Sequence, residues 1–407
     1  MNIEYFISKR LLFTKKHNNR YTKPILSIAI TAISLSFIVM LLSIMISSGF
    51  KNNIINKVIG FDSHIVISSI VDNPSFENEP IILSDSLYNS IISIEGVSDI
   101  NVFATKAGII KTKEEIEGVV FKGVSSDYDW TFLKDHIISG NTLDIKDEEK
   151  NIGVMISYEI SKKLSINVDD DLIMYFIQDP PRVIKFKVKG VYNTSLSDFD
   201  NLFIIGDIKH IQRLNNWQKN QVGGISVRIN DLNQIDEMSE NIYYALPYNL
   251  QSISIKEKYS QLFAWLELQN INVLVILILM IIVGVINMIT ALLVIILEKT
   301  NLIGILKALG ASSWTVRKIF LFNAMYLVFR ALVIGNSIAL SIAFLQYKYA
   351  FIKLDPEIYY MSFVPIDFNF LHIFLLNLLT IIICYITLIL PSVIITKISP
   401  VKAIRFE

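Results

Sequence analysis

The sequence predicts a membrane α-helical fold, four transmembrane helices with one large α+β extracytoplasmic domain, and three observations predict it. The chain is 52% hydrophobic and only 18% charged, with mean hydropathy +0.49 over 407 residues, too apolar for a soluble protein of this size. It contains four apolar runs that each reach the roughly 20 residues a helix needs to cross a bilayer core. Between the first and second runs the hydrophobic period shortens from helical to strand-like.

The first run, 25–48, has 24 positions without a charge, and the second, 271–297, has 27. The third, 319–347, contains one charge, Arg330, and the fourth, 371–396, contains none, with Pro391 near its end. Cleavable signal peptides have apolar cores of about 7–15 residues. The first run is much longer and follows 24 residues of polar chain, so it reads as a retained anchor. Orientation follows from the Lys/Arg bias of the short segments. Residues 1–24 carry six basic side chains (Lys9, Arg10, Lys15, Lys16, Arg20, Lys23) against Glu4 alone. The 298–318 segment carries four and the tail 397–407 three, whereas the 348–370 connection has two basic and three acidic residues. Both termini and 298–318 are therefore expected in the cytoplasm, and 49–270 and 348–370 outside.

The outside region, counted over 50–270, holds 21 basic and 31 acidic residues, a net charge of 21 − 31 = −10. That balance disfavours nucleic acid and anionic lipid as partners. Strand-like runs lie at 64–70, 118–124, 172–177, 184–192 and 224–229, alternating with helical stretches near 83–95, 158–165, 207–215 and 231–245. The Asp169, Asp170, Asp171 run reads as a turn, because a cation loop spaces its ligands. The segment Asp179, Pro180, Pro181, Arg182 is a hairpin tip, either a plain rigid turn or a docking loop. Over 256–270 a stalk helix places Tyr259, Leu262, Phe263 and Leu266 on one face and runs on toward the second span.

Several chemistries are excluded by what is missing. Cys384 is the single cysteine and the five histidines, at 17, 64, 136, 210 and 372, are scattered, so neither a disulfide nor a zinc motif is available. There is no GxxxxGK[ST] stretch, so no P-loop cradles nucleotide, and no nucleophile, base or metal constellation is visible. The chain is not expected to be an enzyme or to bind a metal or cofactor of its own. Arg330 within a span costs about 2.5–3.5 kcal/mol on insertion scales and reads as snorkelling or structurally paired, with a transport role as the rival. Asn287 and Asn323 read as interhelical hydrogen-bond partners.

The most informative segment is 298–320, EKTNLIGILKALGASSWTVRKIF. Ile303, Leu306 and Leu309 stripe a short helix, Gly310 suits its C′ position, and Ser312 or Ser313 can cap the next helix. From the physics alone, the stripe either meets a protein partner or lies in the lipid headgroups.

This segment resembles the coupling segment of the FtsX/MacB-type ABC transporter permease family, through Glu298, Lys299, Ile303, Gly304, Ile305, Leu306, Lys307, Ala308, Leu309, Gly310, Ala311 and Ser312. The tail LPSVIITKISPVKAIRFE, with Pro391, Pro400, Ala403 and Arg405, is similar to the family's closing motif, and 43–68 resembles the end of the first span in LolC/LolE subunits of lipoprotein-releasing systems. Length also favours LolC/LolE over the shorter FtsX and the longer, ATPase-fused MacB.

The resemblance implies an outer domain of MacB periplasmic-core type in a bacterial inner membrane. It implies a LolD-like ABC ATPase docked at Glu298, Lys299, Ile303, Gly304, Leu306, Lys307, Leu309 and Gly310, with ATP and Mg bound by that partner. A second copy or a paralogous permease, a lipoprotein substrate and a periplasmic lipoprotein carrier complete the implied partners. The connection that would carry the carrier's docking hook, 178–183, is short. Met40, Leu41, Ile44, Met45, Val273, Leu274 and Leu277 would line an acyl-chain cavity, although each also suits lipid-facing or core surface. Rival functions are an FtsX-like subunit that transports nothing and activates an extracytoplasmic hydrolase, and a MacB-like efflux permease.

Overall fold

The structure, a computed structural model, describes residues 22–70, 76–112 and 115–398, together with Glu4, residues 6–8 and Arg10. Lys9, Lys15, Lys16 and Arg20 of the basic start, and Pro400, Ala403 and Arg405 of the closing motif, lie outside the described residues. Along the chain run α1 (Thr22–Asp62), β1 (Ile65–Ser69), β2 (Ile81–Ile82), α2 (Asp85–Ile92), β3 (Val97–Lys111), β4 (Ile116–Val124), β5 (Ile137–Gly140), β6 (Gly153–Ser157) and α3 (Tyr158–Leu164). There follow β7 (Asp171–Phe176), β8 (Arg182–Tyr192), β9 (Phe203–Asp207), β10 (Gln221–Val222), β11 (Gly224–Ile229), α4 (Ile235–Ala245) and β12 (Leu250–Ser254). The chain ends in α5 (Ser260–Glu298), α6 (Thr300–Ala308), α7 (Ser313–Tyr349) and α8 (Phe370–Ser392), with shorter helical turns elsewhere.

These elements fall into two compact units. One contains Met1–Lys51, Leu266–Ile352 and Val364–Glu407, the other Asn52–Trp265 and Lys353–Phe363.

In the first unit, four helices are long and apolar enough to cross a membrane: α1, α5, α7 and the helical stretch Phe370–Thr396 that begins with α8. Their cores pack apolar stripes at helical spacing. Ile33, Phe37, Met40, Leu41 and Met45 of α1 join Phe320, Leu327, Val328, Ala331, Leu332, Ala339 and Leu376 of α7 and α8 in one cluster. Small residues let the helices approach closely. A Cβ at Gly335 would stand 3.0 Å from the Phe37 ring, and the Ser34 hydroxyl donates to the Ala331 carbonyl at 2.9 Å. Outward faces carry large apolar side chains such as Phe329, Phe374 and Ile386, which suits lipid as the surrounding solvent.

The second unit is built on a ten-stranded sheet in the order β12-β1-β11-β3-β4-β9-β6-β8-β5, with β7 pairing both β3 and β8. That double pairing closes β3, β4, β9, β6, β8 and β7 into a ring, in which β4–β9 and β6–β8 are parallel and the other pairs antiparallel. Closure removes free edges from these six strands. The ring is filled by Phe121, Phe176 and Phe186, with Phe121 stacked on Phe186 at 5.1 Å. Gly206 makes room, since a Cβ there would collide with the Phe121 ring.

Most sequence-predicted elements exist within a residue or two of their expected bounds, but the spans differ. Helix α1 continues well past residue 48 to Asp62, α5 begins at Ser260, and α7 begins at Ser313. Hydropathy marks where an apolar run stops, whereas a helix continues wherever its backbone bonds do. The stalk and second span form one helix of 39 residues from Ser260, about 58 Å long. Tyr259 (φ −114°, ψ 44°) interrupts the turns just before it. The longest strand, β3, was not foreseen, because its burial is two-sided and breaks the alternation a strand usually shows.

Candidate functional site

Helix α6 is held at both ends by its sequence. Lys299 donates to Glu298 Oε1 at 3.0 Å where α5 stops. At the other end the Gly310 N–H donates to the Lys307 carbonyl and the Ala311 N–H to the Leu306 carbonyl, both at 3.0 Å. This reciprocal pair ends a helix when its C′ residue is left-handed, and Gly310 has φ +89°. Ser312 then caps α7, its Oγ accepting from the Thr315 N–H at 3.1 Å.

The cap fixes which side chains stay open. Ile303 and Gly304 are buried and Leu306 packs against the helical core. Lys307 Nζ donates to the carbonyls of Ile395, Thr396 and Ile398 at 2.7, 3.3 and 2.8 Å, placing a cation on the last helical turn where the dipole favours one. Leu309 is 80% exposed, and Ile305 and Trp314 are 49% exposed. The expected stripe of Ile303, Leu306 and Leu309 is thus divided: two members face inward, and only Leu309 is open.

A second constellation lies in the α+β unit, where Asp62, the last residue of α1, is buried. Its Oδ2 accepts from Lys258 Nζ at 2.5 Å and from the Tyr259 hydroxyl at 2.8 Å, and Lys122 Nζ lies 3.6 Å from Oδ1. Lys122 also donates to the Phe61 carbonyl at 2.6 Å and sits over the Phe61 ring at 4.6 Å. Burial alone would raise the Asp62 pKa, but the two ammoniums and the hydrogen bonds from Lys258 and Tyr259 outweigh it and hold the carboxyl well below its usual range. Burial pulls Lys122 down to about 8 against the pull of Asp62.

Next to it, Lys57 donates to the carbonyls of Thr194 at 2.7 Å and Tyr360 at 2.9 Å, and the Tyr360 hydroxyl donates to Asp198 at 3.3 Å. The segment 353–363, expected only as a loop, is thereby tied to the α+β unit. Burial lifts the Asp200 carboxyl to about 6 although Thr194 donates to it twice, at 3.0 and 2.7 Å.

Of the residues assigned to an acyl cavity, Met40, Leu41 and Met45 are core, Ile44 and Leu277 pack against that core, Val273 is half-buried and Leu274 is 55% exposed. A void of about 20 Å³ beside Met40 is lined by Ile33, Gly284 and Cys384 among others. On the stalk, Leu266 is buried and Tyr259, Leu262 and Phe263 are half-buried, while Glu257, Lys258, Gln261 and Glu267 are exposed.

Asp169 pairs with Lys189 and Asp171 with Lys185, and Asp170 caps the Asn167 N–H. Among the described residues no three His, Cys, Asp or Glu side chains gather to hold a metal. Asn323 accepts from the Ser8 hydroxyl at 2.9 Å, but Asn287 bonds the Val283 carbonyl of its own helix. The interhelical amide pair is instead Asn336 with Asn377, at 2.8 and 3.2 Å, a pairing that two separated asparagines do not announce in sequence. Arg330 is exposed, its guanidinium 5.8 Å from the Tyr326 ring.

Four bilayer-length helices, one large α+β domain and a capped helix with open apolar side chains define a polytopic membrane protein of permease type. The FtsX-like permease C-terminal model matches residues 274–400 and the MacB-like periplasmic core domain model matches residues 26–243. The chain belongs to this family of ABC transporter permeases. It is 23% identical over 420 residues to the lipoprotein-releasing system transmembrane protein LolC of Buchnera aphidicola subsp. Schizaphis graminum (strain Sg), covering 100% of this chain and 99% of that protein. It is 19% identical over 395 residues to the lipoprotein-releasing system transmembrane protein LolE of Haemophilus influenzae (strain ATCC 51907 / DSM 11121 / KW20 / Rd), covering 92% of each. Among solved structures it resembles the periplasmic region of MacB from Actinobacillus actinomycetemcomitans at 14% identity and TM-score 0.35, over 51% of this chain and 95% of that one.

Proposed function

We propose that this chain is the permease subunit of a complex that releases lipoproteins from the outer leaflet of the bacterial inner membrane, using ATP hydrolysed by a separate subunit. The observation that carries the reading is the end-to-end match to a LolC-named protein, 100% of this chain against 99% of that one, with both family segments in order. Both termini and α6 face the cytoplasm, as the basic bias of their segments requires. Nucleotide and its Mg belong to the ATPase partner, since this chain has no P-loop.

Leu309, Ile305 and Trp314 supply the apolar contact for that ATPase, and the Gly310 turn fixes their direction. Motion enters at α6 and reaches the α+β domain through α1 and α5, whose 41 and 39 residues far exceed what a bilayer needs. A paralogous permease or second copy completes the acyl-chain cavity that Leu274 and Val273 border. The test is to purify the complex from its native membrane and identify what accompanies it. An ATPase with a triacylated lipoprotein supports the reading; an ATPase with a cell-wall hydrolase and no lipoprotein refutes it.

A further inference from the structure

The α+β unit contains a cavity of about 620 Å³, within the 300–1,000 Å³ range of small-molecule sites. Its apolar wall is mostly aromatic, with Phe76, Phe103, Phe199, Phe203 and Tyr259 beside the aliphatic Val66, Leu202 and Ile253. Phe203 lies 6.1 Å from both Phe76 and Phe199, and Phe199 lies 5.3 Å from Tyr259. Six charged residues line the space, four of them acidic (Asp62, Glu77, Glu79, Asp198) and two basic (Lys122, Lys258).

The charges divide by depth. Both ammoniums are engaged by Asp62: Lys122 is only 3% exposed, and Lys258, though 36% exposed, has its charge offset by that carboxylate at 2.5 Å. Glu77, Glu79 and Asp198 are exposed. Glu77 meets Lys106 at 3.3 Å, but Glu79 accepts from the Ser69 hydroxyl and Asp198 from that of Tyr360, hydroxyls that leave their charge uncompensated. An acidic mouth over aromatic faces selects a positive group on an apolar body, through Coulombic attraction at the rim and cation–π contact below it.

We infer that this cavity binds an organic cation, an ammonium or guanidinium on an aromatic or aliphatic body, with Glu79 and Asp198 at the charge and Phe76 and Phe203 against the body. The site does not depend on what the complex transports. Its occupant would touch Asp62, which ends α1, and Tyr259, which precedes α5.

The probe is 4-(trifluoromethyl)benzyltrimethylammonium, observed by fluorine NMR with the full-length protein in nanodiscs at constant ionic strength, empty nanodiscs being subtracted. 4-(Trifluoromethyl)benzenesulfonate is the size-matched anion. Saturable binding of the cation without the anion is expected, weakened roughly fivefold or more by Phe76→Ala and by Glu79→Gln/Asp198→Asn. These positions are exposed, and the amides still accept the hydroxyls, so the variants keep the fold. Absence of binding, equal binding of both probes, or binding indifferent to both variants would each overturn the inference.

Discussion

Helix α6 and the Asp62 joint depart from ordinary burial in opposite senses. At α6, Leu309 and Ile305 stand open; at the joint, a carboxylate and an ammonium are buried. The difference teaches where each is completed. The buried charges are satisfied within the α+β unit by Lys122, Lys258 and Tyr259, so the cluster around Asp62 is complete in itself. The apolar side chains of α6 are finished only by another surface. Removing a partner should therefore cost stability at the joint and association at α6.

The largest effect is expected at the joint. Asp62→Ala strands the Lys122 ammonium and should cost about 3–5 kcal/mol, read as a lower thermal midpoint of the full-length protein, with part recovered by adding Lys122→Met. If Asp62→Ala alone leaves the midpoint unchanged, the cluster does not stabilise the fold.

Next comes Asp200, whose folded pKa is raised from 3.8 to about 6. A raised value means the stabilisation is full below the ordinary carboxyl pKa and is lost as pH rises through about 6. Across that window the native protein should lose up to about 3 kcal/mol relative to Asp200→Asn. Parallel stability profiles for the two proteins between pH 4 and 7 would contradict this.

At α6 the expected change is in binding. Leu309→Asp should weaken ATPase association about tenfold or more in pull-down titration with the thermal midpoint unmoved, whereas a charge at the packed Leu306 should disturb folding as well. A loss of stability with Leu309→Asp and intact association would reverse the contrast between the two regions. The smallest effect is Gly310→Ala: nothing lies within 4 Å of the added Cβ, so only the left-handed backbone is penalised, by about 1 kcal/mol. Helical content measured on the purified chain should barely change while ATPase affinity falls slightly.

Much of this molecule was legible in the sequence because it rests on local rules. Charge-free runs longer than a bilayer is thick announce helices, and the Gly310 and Ser312 pair announces a helix end and a new start. Those features need no knowledge of distant residues. The Asp62 joint was not legible, because it gathers positions 62, 122, 258 and 259, and a lysine in the strand-like run 118–124 looks like any solvent-facing residue until β4 is placed. The closure of six strands by β7 had the same character: it depends on β3 pairing both β4 and β7, and β3 conceals itself by burying both faces. The stripe on α6 was half-legible, since spacing identifies a shared face but not which of its members the neighbouring helices cover.

By itself the sequence determined the four membrane helices, the acidic α+β insertion and the capped segment at 298–312, since each follows from solvent preference or backbone conformation along a continuous stretch. Tertiary structure alone decided that Asp62 ends α1 among two lysines, that 353–363 joins the α+β unit, and that aromatic rings and carboxylates share one cavity. Those outcomes depend on desolvation and packing between residues far apart in the chain, which no local pattern encodes.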